Sequence, residues 1–113
     1  MEKRLYLSNL YGFYNALLTE RQREVFEFYH FNDLSLSEIS EAMGASRQAA
    51  RDIIKRTEEN LRAYEEKLEL YKDYRLKTEK INIVKEKLKA IKNAGKITEN
   101  DAETLISKLS EII

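Results

Sequence analysis

The sequence predicts an all-α protein: a helix-turn-helix bundle with one long helix and a C-terminal helical hairpin. Three observations lead there. The stretch Leu34–Arg56 carries two helix starts on either side of a single glycine, Gly44. The chain has no proline and only three glycines, while 35% of its residues are charged, so little interrupts its helical patterns. No run of β-branched residues alternates with polar ones, as a half-buried strand requires.

Within Leu34–Arg56, Ser35 stands three residues before Glu38. That spacing is a capping box, in which the serine takes a free amide and the glutamate reaches back to the cap's own N–H. Leu36, Ile39 and Met43 then share one helix face. Gly44 falls where the helix must end in a left-handed residue, a conformation without a Cβ penalty for glycine. Ala45 is small enough for the turn, and Ser46 caps the next helix. That second helix turns Ala49, Ala50, Ile53 and Ile54 inward and Arg47, Gln48, Arg51, Lys55 and Arg56 outward. In this motif the second helix enters the major groove, where arginine reads guanine edges and glutamine reads adenine. These five outward residues are the candidate nucleic-acid contacts.

The rest of the chain reads as helices on both sides. Leu5, Leu7, Leu10, Tyr11, Tyr14, Leu17 and Leu18 recur at helical steps across residues 3–18. Gly12 lies inside this pattern, where it would permit a close helix contact. Thr19 and Gln22 form a second capping box, opening a helix over 20–29 with Val25, Phe26 and Phe28 as its apolar positions. His30 reads as a helix-end or surface residue. Asn32 and Asp33 make the loop into the motif.

After Arg56 no glycine or proline appears until Gly95. An unbroken helix from Arg47 to about Arg75 would be roughly 43 Å long. Its seam of Leu61, Tyr64, Leu68 and Tyr71 would lie beyond the reach of the helix-turn-helix core. The C-terminal helices of the same chain or another subunit would cover that seam, and the two-fold homodimer, the favoured of the two, would also present two recognition helices. Thr78 reads as a fresh N-cap before the stripe Ile81, Val84, Leu88 and Ile91. Gly95 ends that helix. Thr98 and Asp101 cap a last one, with Ala102, Leu105, Ile106, Leu109, Ile112 and Ile113 on its apolar side. The expected organisation is residues 1–62 as N-terminal helix plus helix-turn-helix core and 63–113 as long-helix extension and hairpin, the whole forming one compact unit.

Charge narrows the function. Twenty basic residues balance 20 acidic ones, which argues against strong non-specific DNA binding by the whole chain. The balance is local, however. Residues 72–96 hold nine lysines and arginines against three acids, a net of +6. Lys77, Lys80, Lys85, Lys89 and Lys92 in that segment are the candidate surface for RNA or another polyanion.

With no cysteine, disulfides and thiolate metal sites are excluded. There is no glycine-rich phosphate loop, and the single histidine lacks a fixed partner, so no enzyme, cofactor or metal is expected. No secretory signal opens the chain and no apolar run is long enough to span a bilayer, which makes a cytoplasmic location the expectation.

The run Leu18-Thr-Glu-Arg-Gln-Arg-Glu-Val25, followed by Leu34 to Ala49, resembles region 4 of sigma factors, which binds the promoter −35 element through the second helix of its helix-turn-helix. More of the chain is similar to the YlxM family of small Gram-positive proteins, through Tyr11-Gly-Phe-Tyr14, Leu18-Thr-Glu-Arg-Gln22, Ala45-Ser-Arg-Gln-Ala49, Lys55-Arg-Thr-Glu58 and Tyr64-Glu-Glu-Lys-Leu68. That resemblance implies a sigma-region-4-like motif with a helical tail. It also implies an accessory role in the signal recognition particle pathway, with the particle's GTPase, its RNA or both as partners. A DNA-binding transcriptional regulator is the alternative. Asp52 departs from an active sigma reader by placing an acid on the exposed face of the recognition helix, and the sigma regions that bind polymerase core are absent from the sequence.

Overall fold

The computed structural model describes residues 2–112. They form six α-helices: α1 (Lys3–Tyr14), α2 (Glu20–His30), α3 (Leu36–Met43), α4 (Arg47–Leu68), α5 (Leu70–Ala94) and α6 (Glu99–Ile112). A 3-10 turn, Asn15–Leu17, follows α1, and no strand occurs among the described residues. The expected all-α class is the observed one.

Local chemistry sets most of the helix ends. Thr19 Oγ1 accepts the Gln22 amide at 3.1 Å while the Gln22 side chain accepts the Thr19 amide at 3.0 Å. Ser35 and Glu38 repeat this reciprocal pair at 3.1 and 2.9 Å. Hydrogen bonds from Ser35 hold the Glu38 carboxyl below its ordinary range. Ser46 Oγ accepts the Ala49 amide at 3.0 Å, and Gly44 ends α3 in the left-handed region at φ 67°. Thr98 and Asp101 cap α6. These orphan amides would otherwise each lose a partner, at about 1 kcal/mol per missing cap.

The chain divides into two compact units, Met1–Tyr71 and Lys72–Ile113. The first unit has two adjoining cores. Val25, Ile39, Ala50 and Ile54 join α2, α3 and α4 into the helix-turn-helix. Leu7, Leu10, Tyr11, Tyr14, Leu18, Phe26, Leu61 and Tyr71 seat α1 against α2, the second half of α4 and the start of α5. Leu5 and Leu17 fall outside this core at 54% and 53% exposure. A side chain at Gly12 would meet open space, so this glycine does not serve a close helix contact.

The long recognition helix is broken. α4 stops at Leu68, and Glu69 adopts a left-handed conformation with φ 51°. The break is held from a distance. Tyr14 Oη accepts the Leu70 amide at 3.0 Å and donates to Glu65 Oε1 at 2.6 Å, and the same carboxylate oxygen accepts the Tyr71 amide at 3.1 Å. Burial raises the Tyr14 hydroxyl above its ordinary pKa, and its bond to the Glu65 carboxylate adds to this. A non-glycine residue in this region carries about 1–2 kcal/mol of steric cost. Glu69→Gly is therefore expected to stabilise the first unit by about 1 kcal/mol after glycine's larger unfolded-state entropy is subtracted. Urea unfolding of the two proteins side by side measures it; an unchanged or lower midpoint would show that Glu69 carries no strain.

The break also redistributes the expected seam. Leu61 is fully buried, Tyr71 is 8% exposed and Tyr64 packs against the same core, so these three are interior to one chain. Leu68 alone stays exposed, at 53%.

In the second unit α5 runs through Thr78 without the fresh start expected there. Gly95 ends it at φ 75°. Lys87 Nζ lies 3.1 Å from Asp101 Oδ1, tying the first turn of α6 back to α5. That contact, with the Thr98 hydrogen bonds, lowers the Asp101 pKa. Val84 is the second unit's only buried apolar residue among the described residues, and α6 has none.

Candidate nucleic-acid interface

The helix-turn-helix core fixes α4 by one side. Ala50, Ile54, Thr57 and Leu61, spaced at three and four residues, are buried. Away from that buried stripe Arg47, Gln48, Arg51, Lys55 and Arg56 are all exposed, with Arg51 and Lys55 on the flank toward Lys3 and Tyr29 and Arg56 on the flank toward the start of α2. Among the described residues none of the four cations forms an ion pair. Their charges are therefore free to meet phosphate.

Two features temper a base-reading role. Gln48 Nε2 donates to Asp52 Oδ1 at 2.9 Å, so the amide that would read an adenine is already engaged. Asp52 and Glu59 also stand among the outermost residues, sharing a shallow hollow with Lys55 and Arg56. A helix inserted deep into a groove would bring both carboxylates toward phosphates.

The flank of α4 that faces α1 carries a second feature. A cleft of about 370 Å³ is lined by Lys3, Tyr29, Leu36, Arg51, Ile54, Lys55 and Glu58. A smaller hollow of about 250 Å³ adjoins it, sharing Lys3, Tyr29 and Glu58. Arg4 is pinned beside this hollow: its guanidinium donates to the Tyr29 carbonyl at 2.6 Å, pairs with Asp33 and lies 5.7 Å over the Tyr29 ring. Sequence reasoning placed Arg51 and Lys55 here by periodicity. It missed Lys3 and Tyr29, because folding alone brings α1 and the end of α2 to α4.

His30 is buried rather than on the surface. Its ring stacks on Phe26 with centroids 4.1 Å apart, and its Nε2 lies 2.9 Å from Glu58 Oε2. Nδ1 has no partner among the described residues, so Nε2–H is the ring's donor to the carboxylate. Burial pushes the Glu58 carboxyl up, but the His30 hydrogen bond and the nearby charges of His30, Lys3 and Arg62 outweigh it and leave it below the ordinary range.

On α5, Lys77, Lys85, Lys89 and Lys92 are exposed and Lys80 is half-buried. Lys77 pairs with Asp73 at 3.2 Å and Lys89 with Glu86 at 3.5 Å. Among the described residues, Lys80, Lys85 and Lys92 form no ion pair. No group of acidic, histidine or cysteine side chains that could hold a metal occurs among the described residues, and no helix there is long and apolar enough to cross a membrane.

Comparison with known proteins agrees with this architecture. Residues 1–101 match the family UPF0122, described as "Putative helix-turn-helix protein, YlxM / p13 like". A UPF0122 protein of Caldanaerobacter subterraneus subsp. tengcongensis is 51% identical over 82 residues, covering 73% of this chain and 70% of the relative. One from Thermoanaerobacter sp. is 44% identical over 101 residues, covering 89% and 83%. One from Clostridium acetobutylicum is 40% identical along all 113 residues, covering 96% of that relative. With its capped helix pair, its left-handed Gly44 and this match over most of its length, the chain belongs to the UPF0122 family of YlxM/p13-like proteins.

Proposed function

We propose that this protein is an accessory or regulatory protein of the signal recognition particle pathway. It binds the particle's RNA, its GTPase or both, using the helix-turn-helix as a scaffold. The observation that carries nucleic-acid binding is the set of exposed cations along α4, Arg47, Arg51, Lys55 and Arg56, none of them in an ion pair among the described residues, with Lys80, Lys85 and Lys92 as further free charges on α5. The choice of pathway rests on the resemblance of sequence. Asp52 and Glu59 on the outward face, and the engaged Gln48, favour RNA over deep insertion into a DNA duplex. The DNA-regulator reading draws on the preformed motif and on Arg47 and Arg51 in the first turns of α4, the part of such a helix that contacts base edges.

Gel shifts with the particle's RNA and with duplex DNA from upstream of the gene, at fixed salt, separate the two. Arg51→Ala is expected to weaken the preferred ligand by about 1–3 kcal/mol. Asp52→Asn is expected to strengthen it by removing a charge that faces phosphate. If neither substitution changes the affinity of any RNA or DNA that the wild type binds, α4 is not the contact.

The second unit fits a homodimer. Leu76, Ile83, Leu88, Ile97, Ile106 and Leu109 are each between 45% and 64% exposed. A unit of this size has too little core to be stable alone. A second copy brings the same apolar stripes, and two hairpins packed together close a four-helix core.

A further inference from the structure

Exposure on α4 accounts for Arg47 and Arg56 as phosphate contacts. It does not account for the cleft on its α1 flank. Its lining combines the aromatic Tyr29, the apolar Leu36 and Ile54, and three cations, Lys3, Arg51 and Lys55. Arg51 and Lys55 have no ion pair. Lys3 reaches only Glu58, at 3.9 Å with the lysine side chain 71% exposed, a contact too long and too wet to hold it. The Tyr29 ring is held ready by Arg4, which bonds the Tyr29 carbonyl and lies over its ring. Aromatic ring, apolar side chains and free cations together match a ligand with a flat ring and a phosphate.

We propose that this cleft takes one unpaired nucleotide, its base against Tyr29, Leu36 and Ile54 and its phosphate between Arg51 and Lys55. The remaining lining residue gives the cleft a direction. Glu58 is the single carboxylate there, fixed on one oxygen by His30. It repels phosphate, which assigns the phosphate to the Arg51–Lys55 end, and it accepts from a ring N–H or amino group at the base end. Uridine ranks last, because its N3–H sits between two carbonyls that a carboxylate repels. The inference deepens the RNA reading: the strand would be recognised where a base is unstacked, as in a loop or bulge.

Two measurements decide it. In the first, the full chain labelled with ¹⁵N is titrated with AMP, GMP, CMP, UMP and, separately, inorganic phosphate. Saturable shifts are expected around Tyr29, Arg51, Ile54 and Lys55, with affinities on the order of millimolar and UMP weakest. Tyr29→Phe keeps these shifts and Tyr29→Ala loses them. Absence of saturable shifts at the cleft, shifts that survive Tyr29→Ala, or equal binding of inorganic phosphate would each overturn the proposal. In the second, fluorescence anisotropy compares a hairpin RNA bearing a single-base bulge with its fully paired counterpart. Stacking energies of this kind make a loss of about tenfold the expected effect of Tyr29→Ala on the bulged RNA alone. Equal losses, or none, on both RNAs would reject the cleft as the reader of unpaired bases and leave RNA binding standing. If the wild type binds neither RNA, the RNA reading fails, and the nucleotide titration still decides the cleft.

Discussion

Leu61→Ala is expected to destabilise the first unit by about 2–5 kcal/mol, the range for removing a large apolar side chain from a closed core. Leu61 is fully buried where α4 meets α1 and the start of α5, beside Tyr14 and Tyr71. The loss should be the same at every protein concentration, because the contact lies within one chain. Ile106→Glu is its counterpart. Ile106 is 64% exposed on α6, so its charge should leave the first unit's unfolding untouched. In sedimentation equilibrium it should move a dimer toward monomer, since an unpaired charge in an apolar contact is costly. Concentration-dependent destabilisation by Leu61→Ala would return that residue to an interface between chains. A wild type that is monomeric across the micromolar range would end the dimer proposal.

The second large effect concerns His30 and Glu58. Glu58→Ala is expected to cost about 1.5–3 kcal/mol at neutral pH, the worth of a hydrogen bond to a charged group, because His30 is left buried with neither ring nitrogen partnered. The Glu58 carboxyl is held below the ordinary glutamate value, so the unfolded chain binds its proton more readily than the folded one. Its contribution is complete above the ordinary range and disappears as pH falls through the lowered folded value. The gap between wild type and Glu58→Ala should therefore narrow on acidification. Urea titrations from neutral pH to below the glutamate range test this; a gap that stays constant would show that the carboxylate's charge contributes nothing.

What the sequence revealed and what it hid divide along the length of the interactions. Ser35, Ser46, Thr19 and Thr98 were legible as caps because each bonds an amide only three residues away. The outward set on α4 was legible because periodicity alone separates it from Ala50 and Ile54. The break at Glu69 was not, since nothing local to a glutamate asks for a left-handed backbone. Its cause is the hydroxyl of Tyr14, 56 residues from the amide it accepts. His30 looked solitary for the same reason: Glu58 is 28 residues away in sequence and 2.9 Å away in space. The cleft beside α4 was half legible, with Arg51 and Lys55 visible in the pattern and Lys3 and Tyr29 brought there by packing.

Several tyrosines in the first unit work as joints as well as filling. Tyr11 bonds Glu27, Tyr14 bonds Glu65 and the Leu70 amide, Tyr64 reaches the Leu17 carbonyl and Tyr71 accepts from Asn9. This ties together positions that a change of one residue at a time cannot alter separately. A phenylalanine at 14 would fill the same space yet strand the Leu70 amide and the Glu65 carboxylate, so it becomes acceptable only with companion changes at 65 and in the 69–71 backbone. Tyr11, Tyr14, Tyr64 and Tyr71 must thus change in matched sets or not at all.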